Sequence, residues 1–328
     1  MCKNIKNLLF SAALMLCCTF SAWAGLGTPP DDEIWYTSRD GNVIAPYYDH
    51  VFGASIQSNT YDNGKGVIKF NGPVTTVGEY AFYGTYLTSM SLPNTVKSIG
   101  YRAFYWMNYM KEISLGNSVE TISNDAFRDC DGLETIDIPA SVTSIGEYAF
   151  YDCNVLKAVY LGNSVTTIGN GAFYDCDALE TIAIPASVTT MGENVFYDCN
   201  VLKSVSLGNS IKTIGKYAFY DCDALETIAI PASVTSLGED VCYDCNKLKF
   251  AAIGCGVTNI PQYAFYNCNE LKSVAIDGNG VTLGYEAFYD CEKLESVSFL
   301  SDTPPSSFGN YCFSNCSPNL KYHVLEEC

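Results

Sequence analysis

Residues 179–224 read LETIAIPASVTTMGENVFYDCNV followed by LKSVSLGNSIKTIGKYAFYDCDA, two copies of one 23-residue unit set end to end. Counted from its leading residue as position 1, the unit starts at Leu87, Met110, Leu133, Leu156, Leu179, Leu202, Leu225, Leu248, Leu271 and Leu294, always 23 apart. A copy one residue short opens near Lys65, and a last one opens at Leu320. Repetition at a fixed period of this length is the mark of a stacked architecture.

Two periodicities follow each other inside the unit. Leu179, Ile182 and Ile184 put apolar residues at positions 1, 4 and 6, and positions 4 and 6 share one side of a short strand. Pro185, or Gly208-Asn209 in the alternate unit, supplies turn chemistry. Val188 and Met191 follow, then a glycine, an Ala-Phe pair and Asp-Cys, which read as a short helical or 3₁₀ return. A lone unit cannot bury its Leu, Ile, Val and Phe, whereas stacked copies cover one another. The expected fold is an α/β solenoid, a leucine-rich repeat of about eleven 23-residue rungs with one parallel sheet and short helical or 3₁₀ returns. A parallel β-helix is the alternative. Phe150, Phe173, Phe196 and Phe219 are expected to form one continuous column, and Cys153, Cys176, Cys199 and Cys222 another.

The recurring I-G-x-x-A-F-Y-D-C-x-x-L-x-x-I-x-I-P runs, for instance across Ile145–Pro185, resemble the BspA-type leucine-rich repeats of bacterial surface proteins. The resemblance covers roughly residues 65–325, and the stretch from Ile34-Trp35-Tyr36 through Gly64-Lys65-Gly66 is similar to the lead-in before such arrays. It implies attachment to host matrix proteins or to other cells. One position departs from the general leucine-rich pattern. Position 9, usually an Asn that ties loop backbone from rung to rung, is Ser118, Ser141, Ser164, Ser187, Ser210 and Ser233. Their hydroxyls are expected to satisfy buried backbone groups instead.

Outside the repeat, Lys3 and Lys6 precede an apolar run from Leu8 to Phe20, and Ala22-Trp23-Ala24 fits a signal-peptide cleavage site. Residues 1–24 are expected to be a signal peptide, cleaved near Ala24, that exports the chain as a secreted or outer-surface protein. No other stretch approaches the ~20 apolar residues of a membrane span. Removal of that segment leaves 16 basic and 36 acidic side chains, a net charge of −20 that disfavours nucleic acid and anionic membrane as partners. Residues 25–64 read as an N-terminal cap, with Trp35, Tyr36, Tyr47, Tyr48, Val51 and Phe52 covering the first rung, and residues 65–328 as the solenoid. Leu320–Val324 at the other end is a candidate surface for self-association. One rung breaks pattern, with Val241-Cys242 in place of Ala-Phe and with Cys255 and Pro261 in the next unit, so local opening is expected around 238–262.

Of the 16 cysteines, nine recur with the unit, from Cys130 to Cys316, and so mark a packing position. Parallel thiols do not converge on a metal, and free, buried thiols are expected, with Cys242–Cys245 and Cys312–Cys316 the better disulfide candidates. Asp129, Asp152, Asp175, Asp198, Asp221, Asp244 and Asp290 form an acidic column, weighed as a calcium ladder against a solvated edge at a helix end; the edge is preferred. No metal and no cofactor is expected. The histidines are His50 and His323 alone, and no nucleophile elbow, zinc helix or phosphate loop occurs, so the chain is not expected to be an enzyme.

Solenoids bind on their extended sheet, where positions 2, 3 and 5 point outward. Position 2 alternates Lys and Glu from Lys111 to Glu226 and then places Lys249 and Lys272 in succession. Tyr160 at position 5 and Phe250 at position 3 are the aromatic breaks, which makes Tyr160, Lys249, Phe250 and Lys272 the candidate binding residues. The expected function is non-enzymatic binding or adhesion at the bacterial surface, engaging a host or cell-surface protein through the solenoid face. A self-associating surface component and a carbohydrate-binding module, the latter using Tyr151, Tyr174, Tyr197 and Tyr220, are the alternatives.

Overall fold

The computed structural model describes residues 26–324. The expected signal peptide lies outside the described residues. Two compact units follow, one ending at Leu179 and one beginning at Glu180, and each is a parallel β-solenoid.

The first unit opens on an antiparallel sheet of β1 (Glu33–Ser38), β2 (Ile56–Asp62) and β3 (Lys65–Phe70), in the order β2-β3-β1. Asn63 and Gly64, at φ 48° and 83°, form the two-residue turn that joins β2 to β3. β1 lies antiparallel on Leu87–Ser91, whose other edge takes Glu112–Ser114 in parallel, so the cap hands over to the stack through one strand. Ile34, Tyr36, Phe52, Ile68 and Phe70 are fully or almost fully buried and close the first rung. Tyr47 and Tyr48 do not share that duty: they are 61% and 41% exposed.

Every rung contributes two strands. The wider ones, such as Thr135–Asp137 and Ala158–Tyr160 in the first unit, come from positions 3–5; in the second unit seven run from Thr181–Ala183 to Lys321–Val324. A second column uses only positions 12 and 13, from Thr76–Val77 to Thr167–Ile168 in the first unit and from Thr190–Met191 to Ser307–Phe308 in the second. The single sheet read from the sequence is therefore joined by another. Its dipeptides are too short to show alternation. In both sheets the register equals the repeat: Ile145 faces Ile168, and Ile228 faces Ala251.

The return is a run of turns and not a helix. Positions 16 and 20 are left-handed, as at Tyr148 (φ 53°) and Asp152 (φ 56°), and such residues break any continuing helix. Tyr151 N–H still donates within its rung, to Tyr148 O at 3.2 Å. The intervening amides reach the next rung instead: Tyr148 to Asn170 O, Phe150 to Ala172 O and Asp152 to Tyr174 O, at 2.8–2.9 Å. This explains the acidic column. Asp and Asn adopt the left-handed conformation more readily than other side chains, and position 20 is Asp129, Asp152, Asp175, Asp198, Asp221, Asp244, Asn267, Asp290 and Asn315, all at positive φ.

Inside, equivalent rings lie on one another. Phe82, Phe104, Phe127, Phe150 and Phe173 stack at 5.1–5.6 Å between centroids with planes 2–11° apart. In the second unit Phe196 stacks on Phe219 at 5.5 Å, and Phe265 on Phe288 at 5.2 Å. The cysteine column runs beside them with a role of its own. Cys153 Sγ donates to Phe127 O at 3.1 Å, Cys176 to Phe150 O at 3.2 Å and Cys222 to Phe196 O at 3.0 Å, each thiol reaching the carbonyl of the preceding rung. Burial pushes the Cys222 thiol well above its ordinary range, which keeps it a protonated donor. The serines at position 9 make no such ladder. Ser141 donates to Val119 O at 2.7 Å, but Ser118 bonds its neighbour Asn117, and Ser233 Oγ is buried with no partner among the described residues. Cys242, Cys245, Cys312 and Cys316, the better candidates for disulfides, are free thiols. Cys245 and Cys316 belong to the donor column, at 3.1 Å from Phe219 O and Phe288 O, while Cys242 and Cys312 take the places of Phe and Ala.

The irregular rung has a backbone cause as well. At position 14, Gly146, Gly169, Gly215, Gly238 and Gly284 each donate to a carbonyl of the rung before, and a Cβ there would meet neighbouring backbone at 2.3–2.6 Å. Pro261 holds this position one rung after Gly238 and has no N–H to give. The short-strand sheet is interrupted there, between Ser236–Leu237 and Asn259–Ile260. Cys242 interrupts the phenylalanine column at the same level, and Asp240, only 9% exposed, is pushed up to about 6, first by burial and then by Glu239.

Two outcomes follow in thermal unfolding. Phe150→Ala is expected to cost ~3–5 kcal/mol, whereas Cys242→Phe completes the column and raises Tm; a loss from Cys242→Phe as large as that from Phe150→Ala would contradict the column. Asp240 is an acid whose folded pKa lies above its ordinary 3.8, so its ionised form destabilises the fold at neutral pH and the penalty fades as pH falls through about 6. Asp240→Asn is accordingly expected to raise Tm near pH 7, with the gain vanishing in acid; a gain independent of pH would exclude this cause.

Candidate functional site

The wide sheet presents its side chains as the unit pattern requires. Leu133, Ile136 and Ile138 point inward and are buried, while Glu134, Thr135 and Asp137 are exposed. Along position 2 the opposite charges pair rung to rung: Lys157 Nζ lies 2.8 Å from Glu134, Lys203 2.7 Å from Glu180 and Lys249 2.8 Å from Glu226. Hydrogen bonds from Lys157 and Lys249 hold the Glu134 and Glu226 carboxyls below the usual range. Exposed pairs of this kind each contribute only ~0–1 kcal/mol. Their larger consequence is that this column cancels its own charge.

The four candidate residues fall in two places. Tyr160 ends the strand Ala158–Tyr160 of the first unit, opposite Asp137, and is 39% exposed. Phe250 begins the strand Phe250–Ile253 of the second unit, half-buried between Thr227 and Ser273 in register. Lys272 N–H donates to Lys249 O at 3.0 Å, so Lys249, Phe250 and Lys272 gather on adjacent rungs. Lys249 is not the unpaired cation that the sequence suggested, because Glu226 holds it; Lys272 makes no ion pair among the described residues.

A groove of about 680 Å³ borders the wide sheet of the first unit, lined by Arg39, Tyr109, Lys111, Glu134, Asn154 and Lys157 among others. The Arg39 guanidinium sits 4.2 Å above the Tyr109 ring. The tyrosine column on the returns is a different surface from the one a sugar requires. Tyr151 and Tyr174 stack at 4.9 Å, Tyr197 and Tyr220 at 4.6 Å and Tyr220 and Tyr243 at 4.9 Å, so neighbouring rings cover one another's faces. Burial, then the neighbouring Tyr197, push the Tyr220 hydroxyl up to about 12.

The BspA type leucine rich repeat region, in six copies, matches residues 75–203 and 196–321. The chain belongs to the BspA-type leucine-rich repeat family. Among solved structures, this BspA-type chain is similar to a leucine-rich repeat protein from Bacteroides ovatus, at 21% identity and TM-score 0.54, covering 92% of this chain and 100% of that one. It is also similar to a leucine rich cell surface protein from Faecalibacterium prausnitzii, at 26% identity and TM-score 0.41, covering 83% and 87%. The first of these shares the fold. No curated protein matches the chain. Among the described residues no helix is long and apolar enough to cross a membrane.

Sequence reasoning missed two sets of residues in this BspA-type array. One is the thiol-to-carbonyl ladder, which a column of Cys at a fixed repeat position signals only once the return is known to be non-helical. The other lies at the N-terminal end, where position 20 of the first two rungs is Gly84 and Trp106 instead of Asp, and where Arg39, Arg102 and Arg128, all the arginines of the chain, fall within the first 130 residues.

Proposed function

We propose that this BspA-type chain is an exported, non-enzymatic binding protein of the bacterial surface that engages a protein partner through its strand face. The self-paired charge ladder of that face carries the reading. A flat surface of cancelled charges and small residues offers no enclosed cavity to desolvate a small molecule, yet it repeats over many rungs, which suits an extended partner. Phe250, beside Lys272 where the ladder stops alternating in the second unit, and Tyr160, at position 5 in the first, are the aromatic side chains of that face, the kind of anchor that carries most binding energy. The net charge of −20 after loss of the leader favours basic partners. Export rests on Lys3, Lys6, the apolar run and Ala22-Trp23-Ala24, and the family resemblance supports matrix proteins or other cells as the target.

Self-association is a second reading, favoured by one observation. The last described strand, Lys321–Val324, is exposed along its length, with Tyr322 at 51% beside Phe308 at 53% and Tyr311 at 62%. An apolar edge of that kind is a template for another strand.

Solid-phase binding to extracellular-matrix proteins tests the first reading, with light scattering on the same samples to separate the second. Phe250→Ala and Tyr160→Ala are each expected to weaken capture about tenfold, the effect of losing ~1.4 kcal/mol, without changing Tm. Undiminished capture by both variants would remove the strand face from the account.

A further inference from the structure

We propose that the N-terminal end of the first unit holds a saccharide-binding site, a tyrosine-walled pocket continued by Trp106, which takes a neutral pyranose chain. It is separate from the strand face and stands or falls independently of it.

The pocket has a volume of about 500 Å³ and is lined by Tyr47, Tyr48, Tyr80, Tyr83, Arg102 and Tyr105. Its rings are set as walls. Tyr47 meets Tyr48 at 4.9 Å and 81° and Tyr83 at 5.9 Å and 72°, so it stands edge-on beside the parallel pair of Tyr83 and Tyr105, stacked at 5.4 Å and 13°. The backbone bond from Tyr47 N–H to Ala81 O, 2.8 Å, pins the cap loop to the first rung, so the pocket is formed without a ligand. A second concavity of about 200 Å³ adjoins it, lined by Tyr86, Trp106, Asn108 and Tyr109 with Gly84 and Thr85, and Tyr83 and Trp106 stand 6.4 Å apart between the two. Tyr83 lines the first concavity and its chain neighbour Gly84 the second, so the two follow one another at this end of the unit.

The fold does not require these side chains. Trp106 occupies position 20, which is Gly84 in the rung before and Asp or Asn in every later one, and it is left-handed at φ 64°. A bulky aromatic there is an uncommon choice, and its indole stays 52% exposed beside Tyr83. An exposed ring at a position held elsewhere by small or acidic residues points to a ligand-facing role. Tyr86, 53% exposed, stands beside it in the same way.

Charge and hydrogen-bonding capacity select the ligand. Asp125 accepts from Arg102 at 3.4 Å and from Arg128 at 3.2 Å, and Asp129 lies 3.8 Å from Arg128, so the two cations nearest the tyrosine pocket meet two carboxylates and an acidic glycan finds no free charge there. A quaternary ammonium would sit against the Arg102 guanidinium. A proline helix would leave most of the phenol hydroxyls without partners. A pyranose offers an apolar C–H face to the rings and hydroxyls to the phenols and guanidinium, and it satisfies both.

The test is a glycan array probed with the full chain, followed by calorimetry on the best neutral oligosaccharide, with acidic oligosaccharides and a proline-rich peptide as further probes. Binding to neutral hexose chains is expected, lowered at least tenfold by Tyr47→Ala and by Trp106→Asn and unchanged by Phe250→Ala. Because Trp106→Asn restores the residue that suits position 20, its Tm should equal or exceed that of the parent while binding is lost. Absence of neutral-glycan binding, binding only of acidic glycans or of the peptide, binding indifferent to both variants, or a Tm loss in Trp106→Asn would each overturn the proposal.

Discussion

Most side chains in the array are packed against their own copies 23 positions away, and this constraint governs the rest of the structure. A residue type can hold a position only if it tolerates itself at the strand spacing of ~4.8 Å. Phenylalanine does so by offset stacking, as Phe127 and Phe150 do at 5.2 Å and 2°. Cysteine does so by donating to the carbonyl one rung back and leaving the next thiol free to do the same. Lysine and glutamate do so by alternating, as they do from Lys111 to Glu226. Aspartate at position 20 tolerates it least well. Asp221 is held above the usual carboxylate range, first by burial and then by Asp223, Asp198 and Asp244, and its place is secured by the left-handed backbone it favours.

The same constraint decided what was legible before any coordinates. Columns of Leu, Ile and Phe are visible because burial and period coincide, and the position 2 ladder is visible because Lys and Glu alternate from Lys111 to Glu226. The second sheet was not, since Thr-Ile pairs such as Thr121–Ile122 are shorter than any alternation. The returns looked helical because Ala149-Phe150-Tyr151 carries no sign of the left-handed turns at Tyr148 and Asp152. The cysteine pairs misled for a related reason: Cys242 and Cys245 are close in sequence, but Cys245 serves a carbonyl of the preceding rung. Of the candidate binding residues, Phe250 and Lys272 lie on adjacent rungs, while Lys249 belongs to the charge ladder through Glu226, a partner 23 residues back.

Interaction chemistry in such a protein is most visible where the repeat is broken. Within the array, self-pairing leaves a face with little free charge and few exposed rings. At the N-terminal end, the first rungs exchange Asp for Gly84 and Trp106, and the residues before them expose Tyr47 and Tyr48, which meet edge-on at 81°. Around Cys242 and Pro261 the break falls inward instead, and it weakens the stack rather than decorating it.

The equality of register and period is tested most directly by removing whole rungs. Deleting residues 133–178, two complete units, joins Gly132 to Leu179 and keeps Lys and Glu alternating at position 2. That variant is predicted to keep the parent's circular-dichroism spectrum and one cooperative unfolding transition, whereas deleting 133–174, which leaves four residues out of phase, is predicted to lose cooperativity. Equal behaviour of the two variants would contradict the account.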